Sequence, residues 1–375
     1  MRIGSCIACS LPLLLAAPTL ADELTSSVTY TGEAVRVLDG GAERGTAYLG
    51  NLDIDLEWSF GDEDAVKAYV YLLGDHGQDP SELVGDAQGV SNITAPNAVR
   101  LYEAWLQGEV GPFNLKVGLY DLNSEFDTME TASLFSHPSF GIGPDYAQAG
   151  PRGPSIFPIT GLGIRAQVGS EDWYAQVAVL DGQPGDPDDV RKTSLKINRH
   201  DGALIAAEVG RAGETESGGL YKFALGSWYF TQMFERIQDA KAVRGNQGVY
   251  ALAEGQLAQF GDTVLSGFAR IGFADAELNG VSHYEGAGLV LQGPISGRPD
   301  DRFGIALARA SFSDDAREVD GLESYELAVE ANYELPLTDW LTLQPNVQRI
   351  FNPGGDASLD DAWVVGTRFI ISYAR

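Results

Sequence analysis

Polar and apolar side chains alternate along the chain from Leu52 onwards, in segments about ten residues long that short turns separate. In residues 52–58 the carboxylates of Asp53, Asp55 and Glu57 occupy every second position, and the positions between them are apolar. Successive side chains of a β-strand point to opposite faces, so this segment has one acidic face and one apolar face. A barrel that is filled with water and surrounded by lipid requires two such unlike faces on every strand.

The same alternation recurs far beyond this first segment. It is present in residues 66–72, 115–119, 164–168 and 363–373. A soluble sheet can show such a strand once, but its repetition along the chain is typical of a barrel that crosses a membrane. The pattern therefore predicts an all-β fold, a transmembrane β-barrel that forms a single domain.

The N-terminus is typical of a cleavable export signal. Arg2 precedes an apolar stretch from Ile7 to Ala17, and we expect cleavage after Ala21, which leaves residues 22–375 as the barrel. The apolar stretch is shorter than the roughly 20 residues that a transmembrane helix needs. Cys6 and Cys9 both lie in the signal, so the mature chain is expected to have no disulfide, thiolate catalysis or cysteine metal site.

The charge is strongly negative. Loss of Arg2 leaves 24 lysine and arginine side chains against 53 carboxylates, a formal net charge of -29. This charge argues against nucleic acid as a partner and predicts a preference for cations over anions. Acidic runs at 62–64, 186–189 and 314–315 are expected to be solvated loops, with weak binding of Ca²⁺ as the alternative and no other cofactor.

Counting turns gives the number of strands. Seventeen segments have strand-like alternation, but bacterial single-chain barrels have even numbers of strands. Seven short periplasmic turns imply sixteen antiparallel strands with both termini in the periplasm, so we assign the weakest segment, Thr193 to Asn198, to an outer loop. The seven turns lie near Gly61, Gly111, Glu171, Gly213, Gly261, Gly297 and Thr338.

The third outer loop, residues 121–161, is the longest at 41 residues. A connection of this length without a regular strand calls for a functional explanation. It is rich in glycine, proline and aromatic residues, which allows it to be compact. The lumen of a sixteen-stranded barrel is wider than side chains can fill, so we expect this loop to fold inward and narrow it.

Five segments resemble the carbohydrate-selective porin (OprB) family: residues 90–93, 100–105, 117–126, 180–185 and 344–355. Their order and spacing cover nearly all of the mature chain. The resemblance implies a sixteen-stranded porin of the Gram-negative outer membrane that passes monosaccharides, glucose above all. Outer-membrane lipid and lipopolysaccharide are then expected partners, and the sequence leaves a monomer and a homotrimer open.

Recognition of a neutral sugar needs charged or amide side chains for its hydroxyls and aromatic rings for its apolar face. We predict the strongest constriction role for five residues at the root of the third loop, and a weaker one, against simple hydration of the lumen, for the others. The candidate residues are Glu103, Trp105, Asp121, Asn123 and Glu125, and then Gln107, Lys116, Tyr120, Arg165, Lys222, Trp228, Arg270 and Gln348. Arg100 and Tyr102 are expected on the lipid face, with Tyr102 in an interfacial aromatic girdle.

Three other functions stay open on the sequence alone. A general, cation-preferring diffusion porin is the main alternative to a sugar porin. An outer-membrane hydrolase is a minor one, with His137 in the third loop as the candidate for its histidine, although we expect no enzyme because no catalytic motif occurs. A soluble all-β lectin or adhesin would bury one sheet face and would not need a polar second face on every strand.

Overall fold

The structure is a computed structural model, and it describes residues 23–61, 65–170, 172–198, 200–215 and 219–375. The predicted export signal lies outside the described residues, as do the acidic run at 62–64 and the turn residue Glu171.

Within the described ranges, sixteen strands form one closed antiparallel barrel, in which each strand pairs with its sequence neighbours and the last pairs with the first. The predicted strand number is confirmed, and residues 193–198 form no strand. The strands are β1 (Glu23–Asp39), β2 (Gly45–Phe60), β3 (Val66–Gly77), β4 (Ala98–Val110), β5 (Phe113–Tyr120), β6 (Gly161–Gly169), β7 (Tyr174–Asp181), β8 (Ala203–Glu214), β9 (Leu220–Glu235), β10 (Ala242–Phe260), β11 (Thr263–Ala274), β12 (Val281–Gln292), β13 (Arg302–Phe312), β14 (Tyr325–Thr338), β15 (Leu341–Phe351) and β16 (Ala362–Ala374).

Helical structure among the described residues is confined to loops. It comprises α1 (Ser81–Val84), α2 (Pro144–Ala147), α3 (Asp314–Asp320) and a few single 3-10 turns. None of the helices in the described ranges is long and apolar enough to cross a bilayer.

Several strand ends differ from the sequence-based expectation, most of all in the β9–β10 hairpin. The β9–β10 hairpin extends to Glu235 and Ala242, well past the predicted ends at 230 and 247, and an irregularity between Arg244 and Asn246 shifts its register. Such a bulge breaks the two-residue period, so alternation alone cannot follow the strand through it. Gly213, where a turn was predicted, lies within β8, which continues to Glu214.

A second bulge reverses the predicted orientation of Arg100 and Tyr102. The register of β3 against β4 shifts between Tyr71 and Leu72, which leaves Tyr102 as the extra residue of β4. Both side chains point inward and are buried. Arg100 donates to the carbonyl oxygens of Pro96 and Pro158, at 2.9 and 3.0 Å. Their assignment to the lipid face, and that of Tyr102 to an aromatic girdle, is therefore wrong.

The apolar core lies inside the barrel, between the wall and the loop of residues 121–161, which we call loop 3. Phe126, Phe135, Phe140 and Tyr146 of loop 3 are fully buried, in one cluster with side chains of the barrel wall such as Trp228. The opposite surface of the wall is apolar and exposed, as expected for a face that lipid covers.

Carboxylates on the barrel wall hold loop 3 by its backbone. Glu254 on β10 accepts the N–H groups of Glu130 and Thr131, at 2.9 and 2.6 Å. Glu330 on β14 accepts those of Ser136 and His137, both at 2.9 Å. Hydrogen bonds from backbone N–H groups to a carboxylate are strong, so these anchors hold the loop across the lumen.

Candidate functional site

Glu125, near the start of loop 3, gathers cationic and phenolic groups from the barrel wall. Its Oε1 atom accepts from Lys116 Nζ at 2.7 Å and from Arg165 Nη2 at 2.6 Å. Its Oε2 atom accepts from Arg165 Nε and from the hydroxyl of Tyr120, both at 2.7 Å. The sequence predicted all four residues as candidates, and the structure brings them together.

The barrel register explains why the loop carboxylate is needed. Lys116 on β5 and Arg165 on β6 are directly paired across the two strands, and like charges in such a pair repel each other. Burial alone would raise the pKa of Glu125, but the hydrogen bonds of Arg165 and the charge of Lys116 outweigh it and lower the pKa to about 2. Glu125 is therefore ionised and neutralises one of the two cations.

A second group of candidates connects β4 to the start of loop 3. Glu103 accepts from Trp105 Nε1 and from the backbone N–H of Asp121, both at 3.1 Å. Asp121 in turn accepts from the hydroxyl of Tyr102 at 2.5 Å and from the N–H of Asn123 at 2.8 Å. Burial raises the pKa of Asp121 to about 6 against these hydrogen bonds. These contacts position the loop relative to the wall.

The indole of Trp105 is held between its neighbours. Its ring stacks on Tyr69 of β3 with the centroids 4.9 Å apart, and Lys116 Nζ of β5 lies 4.2 Å from its centroid. Gly118, which pairs with Trp105, has φ of 145°, and a Cβ atom there would lie 2.6 Å from the Cα atom of Trp105. Glycine therefore permits this approach of β5 to β4. Since β3 and β5 flank β4 on opposite sides, a neighbouring side chain lies against each side of the indole.

Two further candidates, Asn123 and Gln107, form hydrogen bonds within the protein. The side-chain amide of Asn123 donates to the carbonyl oxygens of Phe126, Asp127 and Gly141 within loop 3, at 3.0 to 3.3 Å. Gln107 accepts from Arg165 Nη2 at 3.3 Å.

The remaining four candidates lie behind or beneath loop 3, on the far wall. Trp228 is 2% exposed and stacks on Tyr146 at 5.1 Å, Arg270 is 3% exposed, and Gln348 is 1% exposed. Lys222 Nζ donates to the carbonyl oxygen of Thr128 at 2.7 Å. The sequence grouped these residues with the constriction because they face the lumen, but it did not show which wall loop 3 covers. In the structure they anchor the loop.

The sequence candidates omitted the wall that loop 3 leaves uncovered. Asp53, Asp55 and Glu57 of β2, which we call the acidic wall, point inward and are only partly buried. Tyr71 of β3 donates to Asp53 at 2.5 Å, and Ser27 donates to Asp55 at 2.6 Å. These three residues are the polar positions of the alternating segment 52–58, so the alternation could have identified them.

In the acidic runs of the outer loops, two side chains pair with cations of the same loop. Asp189 binds Arg191 at 2.9 Å, and Asp314 binds Arg317 at 3.0 Å. In the part of the chain that the structure describes, no group of three or more His, Cys, Asp or Glu side chains could hold a metal ion. Weak Ca²⁺ binding by these loops stays a prediction.

His137, the candidate for a catalytic histidine, is buried within loop 3. It is 1% exposed, its Nδ1 atom accepts from the backbone N–H of Ser139 at 3.3 Å, and its ring contacts Phe140. Burial lowers its pKa to about 3. The ring therefore stays neutral at physiological pH.

Comparisons with known proteins agree with this architecture. The model of the family described as "Carbohydrate-selective porin, OprB family" matches residues 43–373. "Porin B" of Pseudomonas aeruginosa is 26% identical over 396 residues, which cover 90% of this chain and 85% of that protein. "Putative porin QuiX" of Acinetobacter baylyi is 27% identical over 232 residues, half of each chain.

The fold also matches a solved structure, that of Pseudomonas putida OprB at high pH. Its TM-score is 0.84 at 20% identity, and the match covers 93% of this chain and 94% of that one. The closed barrel rules out the soluble lectin or adhesin considered above. The chain belongs to the carbohydrate-selective porin OprB family and is a carbohydrate porin of the outer membrane of a Gram-negative bacterium.

Proposed function

We propose that this porin passes monosaccharides such as glucose by passive diffusion, through the passage between loop 3 and the wall formed by β2 to β5. The observation that carries the proposal is the group formed by Glu125 and its three donors, which lies three strands along the wall from the acidic wall on β2. Lys116, Arg165 and Tyr120 supply donors there, and Glu125 and the acidic wall supply acceptors. A sugar hydroxyl is both donor and acceptor, so it can exchange its bonds to water for bonds to both kinds of group.

The partly exposed rings of Tyr69, Tyr71 and Trp105 complete this passage. Aromatic edges and hydroxyls offer weak apolar and polar contacts to a sugar. Weak contacts lower the entry barrier without holding the solute, which is the condition for conduction.

Enzymatic activity does not form part of this proposal. A catalytic histidine needs a polar partner and access to substrate. In the described residues, Nε2 of His137 has no hydrogen-bond partner, and the ring lies in the apolar side of loop 3. These contacts support a structural role for His137.

Liposome swelling tests the sugar preference. We expect monosaccharides to enter faster than amino acids of similar size, and we expect Trp105→Ala to raise all rates and flatten the difference, because it removes a ring that narrows the passage. Trp340→Ala is the matched control, since Trp340 lies exposed at the β14–β15 turn, and it should behave like the wild type. Equal rates for all solutes in the wild type would leave only a general diffusion porin.

Ion selectivity tests the role of charge. We expect reversal potentials in a salt gradient to show a preference for cations, because the acidic wall raises the local concentration of counter-ions. Replacing Asp53 and Asp55 by Asn and Glu57 by Gln should reduce this preference, and high salt should reduce it as well. A preference for anions in the wild type would mean instead that Lys116 and Arg165 dominate the passage.

Lipid, lipopolysaccharide and a second or third copy of the chain are further proposed partners. The exposed apolar outer face supports lipid contact. A homotrimer, which the sequence left open beside a monomer, stays a prediction that sedimentation in detergent can test.

A further inference from the structure

On the part of the wall from β13 to β1, three arginines point outward near the end that carries the long loops. Arg36 on β1 pairs with Val365, and Arg349 on β15 pairs with Trp363. Val365 and Trp363 both face outward. Arg309 on β13 has the same outward parity. We call Arg36, Arg309 and Arg349 the arginine belt.

The closed barrel places the members of the arginine belt on alternate strands. Since β1 follows β16, the order around the wall is β13, β15 and β1. Neighbouring strands are about 4.8 Å apart, so consecutive arginines are roughly 10 Å apart around the rim. They form a cationic row on an outer face whose side chains are mostly apolar, with Glu285 of β12 directly paired across from Arg309.

Aromatic rings support two of the three guanidinium groups. The guanidinium carbon of Arg309 lies 4.7 Å from the ring centroid of Tyr325, and that of Arg349 lies 4.9 Å from the centroid of Trp363. Such contacts orient the guanidinium and leave its edge available for an anion. The side chains of Arg309 and Arg349 are 35% and 23% exposed.

Few of the N–H donors of Arg309 and Arg349 are bonded to other groups of the chain. Arg309 donates to Ser311 Oγ at 2.9 Å, and its nearest carboxylate oxygen, on Glu285, is 3.7 Å away. Arg349 donates to Asp361 Oδ2 at 3.1 Å. A guanidinium has five N–H donors, so most of those on both side chains remain available to an external acceptor.

Arg36 is exposed, and in the described part of the chain no side chain forms an ion pair or hydrogen bond with it. Charged side chains at the lipid face are costly unless they reach the headgroups or bind a counter-charge. The long-loop end of an outer-membrane barrel faces the cell exterior, where the headgroups of the outer leaflet lie.

We propose that the arginine belt is a binding site for the phosphate groups of lipid A, the phosphorylated lipid of lipopolysaccharide. Arginine matches phosphate because its planar fork can donate two parallel hydrogen bonds. The apolar strands below the belt cover the acyl chains of the same lipid. The site rests on the proposed contact with lipopolysaccharide, and it is independent of the lumen and of the proposed sugar preference.

Binding of fluorescent, bisphosphorylated lipid A to the full barrel in detergent micelles tests the proposal. We expect the variant in which Arg36, Arg309 and Arg349 are all replaced by Gln to bind roughly 10- to 100-fold more weakly than the wild type. Lipid A without its phosphates should bind the wild type as weakly as the phosphorylated lipid binds this variant. Unchanged heat-dependent gel mobility and monosaccharide swelling rates show that the variant is folded.

Arg211→Gln provides the matched control. Arg211 also points outward, but it lies on β8 near the opposite end of the barrel. Its replacement should leave lipid A binding unchanged. The proposal is overturned if the triple variant binds like the wild type, if Arg211→Gln loses as much affinity, or if phosphatidylglycerol binds the wild type as tightly as lipid A does.

Discussion

Replacing Arg270 by Met is expected to detach part of loop 3 from the barrel wall. It should also lower the temperature at which heating converts the folded form to the unfolded form, as measured by gel mobility. Arg270 Nη2 lies 2.7 Å from Asp127 Oδ2, its Nη1 atom bonds Asp145, and all three side chains are at most 1% exposed. Removing the cation leaves two buried carboxylates without their counter-charge. Breaking a buried pair in this way costs about 3–5 kcal/mol.

Single-channel conductance gives a second measure of the same change. With part of loop 3 free, we expect larger and noisier conductance than in the wild type. The matched control removes all three charges together, by Arg270→Met with Asp127→Asn and Asp145→Asn. Because no charge is then left unpaired, this variant should recover most of the lost stability. A single Arg270→Met variant with wild-type conductance and thermal stability would show that the other anchors are sufficient.

Replacing Glu125 by Gln is expected to shift ion selectivity towards anions and to weaken the preference for monosaccharides. Glu125 is the shared acceptor of Lys116, Arg165 and Tyr120, and its loss leaves Lys116 and Arg165 as an unneutralised pair beside the passage. The reversal potential in a salt gradient should move by an amount that falls at high salt. Glu130→Gln is the control. Glu130 is an exposed residue of loop 3, and its contact with Glu254 is made by its backbone N–H and not by its carboxylate. Equal shifts in both variants would contradict a specific role for Glu125.

Acid should reproduce the effect of Glu125→Gln in the wild type. The folded-state pKa of Glu125, about 2, is below its ordinary value of 4.5. The contribution of its ion pairs to stability is therefore complete above about pH 4.5 and is lost as the pH falls towards 2. Because selectivity follows the charge of Glu125 in the folded protein, we expect this part of the selectivity to stay constant below neutral pH and to fall only as the pH approaches 2. A change centred near neutral pH would have to come from another group.

Several features of the protein followed from the sequence because they depend on local periodicity. The alternation in residues 52–58 predicted a strand with an acidic face, and the spacing of turns predicted sixteen strands. The same logic correctly rejected residues 193–198, whose apolar face has only Leu195 and Ile197. The members of the group of Lys116, Tyr120, Glu125 and Arg165 were also predicted. Glu125 was selected by its position at the root of loop 3, and the other three were selected by their inward parity.

The orientation of Tyr102 and the course of loop 3 were decided by the tertiary structure. A single bulged residue in β4 reverses the parity of the positions beyond it, and the hydrogen bonds that form the bulge involve a neighbouring strand. Loop 3 has no period that indicates which wall it contacts. Its position depends on Arg270, Glu254 and Glu330, which lie more than a hundred residues away in sequence. Away from such bulges, alternation therefore determined which side chains face the lumen. Only packing across the barrel determined that Trp228, Arg270 and Gln348 hold the loop while the acidic wall stays open to the passage.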